Sequence, residues 1–358
     1  MSKETIEWLN TMTLIGNTDE RGDAWHYRAS SQGGESNHYP GAIPVEDVRR
    51  RLFAWKATER RMAVEFPATP DTMTHLGPQG EPLRWVVQDD RKAVAPDDGT
   101  DVVMGIFKGG YRIHQFDEWL INNVATILGE DLAVSSAGLL RDRAVAWVEV
   151  SVPRTIATPE GVEFRPNLLA CTSFDGSLAT TYQRAVQLTV CDNTMAAALG
   201  ERGQSLKVKH SRHSLSRIGD VREALAMVHE TADAFSKDVA RLAATPVSDL
   251  QFRQVLNVLV PIDPDASKRA RSIGLDKQQV ISQLWQWDPR VAPWRHTAFG
   301  VVQAFNTWHH HEQAGLPAGS HTHKLRARAD RNAMRAITGE TEKNDAEVLR
   351  VLADIVGA

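Results

Sequence analysis

A chain of 358 residues with 42% hydrophobic and 24% charged content has the makeup of a folded protein, long enough for two domains or one domain with appendages. Its net charge of −4 excludes a non-specific nucleic-acid coat held by bulk positive charge, and no apolar run approaches the ~18 residues of a membrane span. With only two cysteines, Cys171 and Cys191, a disulfide framework is excluded as well, and both read as small buried thiols.

The start, Met1-Ser2-Lys3-Glu4-Thr5, lacks a signal-peptide core and points to the cytosol. Residues 1–48 read as irregular, because Gly22, Gly33, Gly34, Pro40, Gly41 and Pro44 interrupt any long helix. A helix is expected from Val45 to Ala63, with Val48, Leu52 and Trp55 on one face and Arg49, Arg50, Arg60 and Arg61 toward solvent. Residues 67–100, rich in Pro, Gly and Asp, leave room for one short strand at Leu83–Gln88. Val102–Phe107 is β-rich; Lys108-Gly109-Gly110 reads as a turn that returns the chain through Tyr111–His114. A helix follows over Phe116–Leu128, its apolar stripe including Phe116, Trp119, Leu120 and Val124. Leu132–Leu140 and Ala144–Val152 form a strand pair, with Ala144, Ala146, Val148, Val150 and Val152 on one face. A second pair, Leu168–Phe174 and Thr180–Val190, is joined by the turn residues Asp175-Gly176-Ser177. A short helix over Asn193–Glu201 then leads to a strand at Leu206–His213.

Beyond residue 214 the pattern is helical. Asp220 and Glu223 have capping-box spacing before an apolar series through Phe235, Val239 and Leu242 that Pro246 ends. Ser248 with Gln251, and Asp276 with Gln279, mark two further starts. Thr297–Glu312 places Val301, Val302, Phe305 and Trp308 inward, and Arg326–Val356 holds two more helical stretches. The fold class is α+β: a hairpin-rich antiparallel or mixed sheet with interposed helices, followed by a helical C-terminal part. Three divisions follow: an irregular segment with one helix at 1–100, a β-hairpin core at 101–214 and a helical part at 215–358.

No phosphate-binding glycine loop, Gly-x-Ser-x-Gly, His-Glu-x-x-His or Cys-x-x-Cys occurs, so the sequence names no catalytic residue, cofactor or metal ligand. His309, His310 and His311 cannot share a metal, since adjacent helical residues point about 100° apart; they read as a solvated helix end. His26 and His38, with Asp19, Glu20 or Asp23, read as packing residues, a metal site being the sharper alternative. The run from Lys207 through Lys209 and Arg212 to Arg217 carries no acid between Glu201 and Asp220. As a strand it sets Lys207, Lys209, Ser211 and His213 on one face and Leu206, Val208 and His210 on the other. Its cations then repeat about every 7 Å, near the phosphate spacing of a nucleic-acid strand; an edge strand blunted by lysines is the plainer reading. In Thr180–Val190 the odd positions, Thr181, Gln183, Ala185, Gln187 and Thr189, form an uncharged polar face that suits a groove or a solvated surface, and Arg184 is the one cation there.

Several of these residues also resemble a family. Ala24-Trp25-His26, Asn37-His38-Tyr39-Pro40-Gly41 with Ile43-Pro44-Val45, Gly105, Tyr111, Asp175-Gly176-Ser177 and Val190-Cys191-Asp192-Asn193-Thr194 are similar, in order and spacing, to the uncharacterised phage/plasmid-like proteins, a domain-of-unknown-function family of actinobacterial phages, prophages and plasmids. The resemblance implies a protein of a mobile element, made in the cytoplasm of a bacterial host. Hairpins followed by a packed helix also resemble the β-β-β-α core of Rad52-like single-strand annealing proteins, which form rings or filaments without nucleotide cofactors. From that likeness an arginine is expected in the strand before the Cys-x-Asn-Thr segment, where Gln187 and Thr189 stand instead.

The expectation for function is a non-catalytic, homo-oligomeric protein that binds single-stranded nucleic acid through Lys207, Lys209, Arg212 and Arg217, with Arg184 nearby and an exposed aromatic for stacking. The alternative is a protein-interaction or assembly factor acting on host machinery or phage particles. Neither involves a membrane.

Overall fold

The computed structural model describes residues 6–23, 27–32, 34–126, 128, 132–152, 155–188, 194–196, 205–210, 228–312, 335 and 340–357. Among them the chain is α+β, with two antiparallel sheets and a helical C-terminal part.

Helix α1 (Ile6–Met12) leads into strand β1 (Thr13–Ile15), so the N-terminal segment read as irregular contributes to both layers. Asn37 makes this possible: its buried amide donates to Asn10 O and Thr13 O and ties the loop to β1. Helix α2 (Val45–Leu52) stops far short of Ala63. Strand β2 (Ala57–Pro67) begins five residues later and pairs with the long β4 (Pro82–Pro96). The short β3 (His75–Leu76) and β5 (Gly105–Lys108) add to the other edge of β4. The segment expected to be mostly loop, 67–100, therefore supplies β3 and the long β4 to a four-stranded sheet. Its outer half forms an arm exposed on both faces, and such a strand shows no buried-exposed alternation to read.

β5 pairs with β4, not with Tyr111–His114, which is irregular. Gly105 lets β5 lie close to the second sheet: a Cβ there would come within 2.3 Å of Phe174 O.

A π-helical turn, Asp117–Ile121, continues as Asn122–Ala125 to make helix α3. The second sheet then runs β1, β6 (Ala133–Leu140), β7 (Val145–Ser151), β9 (Glu163–Ser173), β10 (Thr180–Leu188) and β11 (Thr194–Ala196), with β8 (Ile156–Ala157) on β9 and β12 (Ser205–Val208) on β10 beside β11. Both expected hairpins are present in register, Leu140 opposite Val145 and Thr181 opposite Cys171. The turn at Asp175 is made as its chemistry predicts: Gly176 takes φ 78° and Ser177 N–H donates to Asp175 Oδ1 at 2.8 Å. Thr194–Ala196 is extended and pairs with Ala185–Gln187, so the helix expected over Asn193–Glu201 is not formed there.

One core fills the space between this sheet, α2, α3 and the base of the arm. Val48, Leu52, Leu120, Ile121, Val124, Ala137, Val148 and Ala170 are each fully buried or nearly so, and each large aliphatic side chain contributes about 2 kcal/mol.

A second core belongs to the helices α4 (Val228–Ala244), α5 (Asp249–Leu259), α6 (Lys268–Trp287), α7 (Ala298–Thr307) and α8 (Glu340–Val356). Phe235, Val239 and Leu242 face inward as their spacing predicts. Val162 and Phe164 of the sheet join this core, Phe164 against Phe235 with ring centroids 4.7 Å apart. Ser248 accepts from Gln251 N–H while Gln251 Oε1 accepts from Ser248 N–H, the expected capping box. Helix α6 starts at Lys268 behind the cap Ser267, so Asp276 lies within it and opens nothing. Helix α7 is buried on every side and passes into a π-helical turn, Trp308–Glu312. That turn buries His310, which corrects the reading of a solvated histidine end.

Candidate nucleic-acid interface

The basic strand forms only in part. Ser205–Val208 is extended and antiparallel to β10, with Lys207 opposite Thr181. Arg184 lies on the same strand β10, opposite Leu168 on its other neighbour. Lys209 follows the strand and is exposed. Arg212 and Arg217 lie outside the described residues, as do His26 and Cys191, and the side chains of Arg184 and Lys207 are not among those described. Val208 is fully buried and His210 points inward, as the alternation predicts. Thr181 and Gln183 are buried, so this part of the uncharged face is neither groove wall nor solvated surface.

His210 closes a column of stacked rings that sequence reasoning missed. Phe107 stacks on Tyr111 at 3.7 Å, Tyr111 on His210 at 5.0 Å, His210 on His114 at 3.9 Å and His114 on Trp119 at 3.8 Å. The column joins β5, the irregular stretch after it, the end of β12 and α3. Beside it, His114 Nδ1 lies 2.6 Å from Thr180 Oγ1, Thr180 Oγ1 2.8 Å from Thr172 Oγ1, and Thr172 Oγ1 3.0 Å from His210 Nε2. His114 Nε2 and His210 Nδ1 have no hydrogen-bond partner among the described residues. Burial, with a smaller contribution from His210, lowers the His114 pKa to about 3; burial lowers that of His210 to about 4 against the backbone bond with Arg112. Both rings are neutral at physiological pH and serve as flat packing surfaces.

The π turn of α3 has its own role. Trp119 O accepts from the Tyr182 hydroxyl and from Asn123 Nδ2, which also donates to Tyr182 Oη at 2.8 Å. A helix carbonyl released by the wider turn thus anchors β10. Burial pushes the Tyr182 hydroxyl well above its usual range.

On the arm, cross-strand pairs set Val64 beside Val86 and Phe66 beside Arg84 on one face, and Glu65 beside Trp85 on the other. Trp85 is 55% exposed and Phe66 43%. His75 stacks flat on Trp85 at 5.0 Å and 11°, and its Nε2 lies 2.6 Å from Glu65 Oε1. Arg60, Arg61 and Arg84 are exposed and make no ion pair among the described residues. At the arm's base, Arg91 and Lys108 pair across β4 and β5, and Arg112 N–H donates to His210 O next to Lys209. The register thus brings Lys209 toward Arg112 and the column, a grouping the sequence does not announce. The arm as a whole is not basic, since Glu59, Glu65, Asp71, Glu81, Asp89 and Asp90 accompany its arginines.

At the end of the sheet near the arm, Arg141, Asp142 and Arg143 all take positive φ. The turn is held by Arg141 to Asp175 at 2.9 Å, by Arg143 to Asp98 at 2.5 Å and by the Arg143 guanidinium over Trp55. The cavity between Trp55, Phe116 and Phe174 has about 40 Å³, room for a water or two and not for a cofactor. His38 packs against Tyr27 and lies 2.7 Å from Asn37 Oδ1. No group of three metal-ligating side chains occurs among the described residues, and no helix there is long and apolar enough to cross a membrane.

Fold and site together define an α+β protein with a hairpin arm and a neutral aromatic column. Residues 103–346 match the family described as Domain of unknown function (DUF932), and the chain belongs to that family. The matched residues run from the loop before β5 into α8, and the arm precedes them. No curated protein and no solved structure matches.

Proposed function

We propose that this chain is a non-catalytic single-strand nucleic-acid-binding protein of a phage or other mobile element, working in its host's cytoplasm as a binding or annealing factor. The observation that carries the reading is the arm: Trp85 keeps more than half its surface in solvent while His75 holds its ring flat. A base has a π-face whatever its identity, so an exposed, oriented indole stacks on single strands without sequence preference. Arg61 lies on the same face of the arm and Arg60 and Arg84 on the other, all without ion pairs among the described residues, and Lys209, next to Arg112, extends the cationic path toward β12. In this reading Lys207, Lys209, Arg212 and Arg217, with Arg184, contact phosphates, and Trp85 stacks bases.

The test is retention of a single-stranded oligonucleotide on size exclusion with light scattering at low and moderate salt. Binding is expected at low salt, weakened as salt rises. No association at low salt removes the reading. A second reading, a protein-interaction or assembly factor, is favoured by the apolar content of the arm, where Leu76 and Val87 are also exposed. It predicts a co-purifying protein that nuclease treatment does not release.

A further inference from the structure

Strand β2 pairs with β4 on one side, with a break in register between Arg61 and Ala63 where β4 bulges, and with nothing on its other side among the described residues. Its free edge is 11 residues long, Ala57–Pro67. An open edge of that length is a template for another strand, and charges that meet like charges are the usual deterrent.

Here one self-pairing register turns the charges into attraction. Set antiparallel to a second copy about a two-fold axis at Ala63, Arg61 of each copy lies opposite Glu65 of the other. On the opposite face Met62 meets Val64 and Arg60 meets Phe66. Of the nearby registers, an axis at Met62 sets Glu59 against Glu65 twice, an axis at Arg61 sets that arginine against itself, and an axis at Val64 sets Glu65 against Ala63 and Arg61 against Pro67, with no charge pair. Register in a sheet is selected by such direct cross-strand pairs. The residues concerned are available: Arg60 and Arg61 are exposed without an ion pair among the described residues, and Val64 and Phe66 are 39% and 43% exposed. Glu65 bonds His75 through Oε1, and a carboxylate has acceptor capacity to spare.

We propose that two copies of this chain join through the free edges of β2, antiparallel about Ala63, so that their arm sheets become one continuous sheet. The pairing sets Met62 beside Val64 and Arg60 beside Phe66 on one face and matches Arg61 with Glu65 on the other, on either side of the axis. It does not depend on nucleic-acid binding, and the Trp85 face of β4 remains away from the paired edge.

Sedimentation equilibrium of the full chain, without nucleic acid, tests it. The wild type is expected to dimerise. Arg61→Glu and Glu65→Arg each place like charges opposite one another at two symmetric positions, and each weakens the dimer about tenfold or more. The double variant Arg61→Glu/Glu65→Arg restores the opposite pairing and returns the dissociation constant to within about threefold of wild type. Circular dichroism and thermal midpoints close to wild type certify folding, as expected for exposed positions. A wild type that stays monomeric at about 100 μM, a dimer unmoved by both single changes, or a folded double variant no better than the singles overturns the proposal.

Discussion

Acidification from about pH 8 to pH 5 is expected to cost this protein stability through two buried rings, His114 and His210. Each has its pKa lowered in the folded state, to about 3 and about 4, whereas an unfolded histidine titrates near 6.5. The unfolded chain therefore binds protons that the folded chain refuses. The contribution is complete above about pH 6.5 and is lost as pH falls toward the folded values. By pH 5 each ring has forfeited about 2 kcal/mol, together about 4 kcal/mol, a large part of a typical domain's stability. Asp175, held below its usual range by Ser177 and Arg141 against burial, titrates below this window. Urea unfolding at both pH values gives the loss directly. His114→Gln removes one titrating ring while leaving a group that can bond Thr180, and should roughly halve the loss. Equal losses in wild type and variant, or no loss in the wild type, would refute the reasoning.

Other substitutions probe the packing around the column. Gly105→Ala brings a Cβ to 2.3 Å from Phe174 O and should lower stability by about 2 kcal/mol or more, read as a fall in thermal midpoint. Tyr182→Phe strips Trp119 O of a donor in the buried π turn and should cost about 1–3 kcal/mol by chemical denaturation. Ser248→Ala breaks the capping box of α5 at a cost of about 1 kcal/mol in the same assay.

The sequence is legible where one face of an element is buried. Ala144, Ala146, Val148 and Val150 alternate because β7 has a core on one side, and Ser248 with Gln251 marks a helix start through local bonds. Both signals are short-range. The arm defeated the same logic: Val48, Leu52 and Trp55 have helical spacing, Arg60 and Arg61 extend it, and a strand exposed on both faces has no alternation to contradict it. Gly109-Gly110 suggested a local hairpin, yet β5 pairs with β4, and Gly105 admits its close approach to Phe174. The column was out of reach, since His114 and His210 meet only when β12 pairs with β10. Of the cationic residues singled out, Lys207 and Arg184 share paired strands and Lys209 is exposed, while Trp85, Phe66 and the arm's arginines carried no signal beyond composition.

The central claim is single-strand binding through a stacking arm and a basic strand, and salt-titrated fluorescence anisotropy with a labelled single-stranded oligonucleotide tests it most directly. With three to five phosphates neutralised, affinity should fall about 20- to 100-fold between about 50 and 200 mM salt. Trp85→Ala should weaken binding by about 1–3 kcal/mol at either salt. Lys207→Glu with Lys209→Glu should lower both affinity and the salt slope, the slope by about 1.4 because two phosphates are no longer neutralised. Affinity and slope unchanged by all three substitutions would contradict the account.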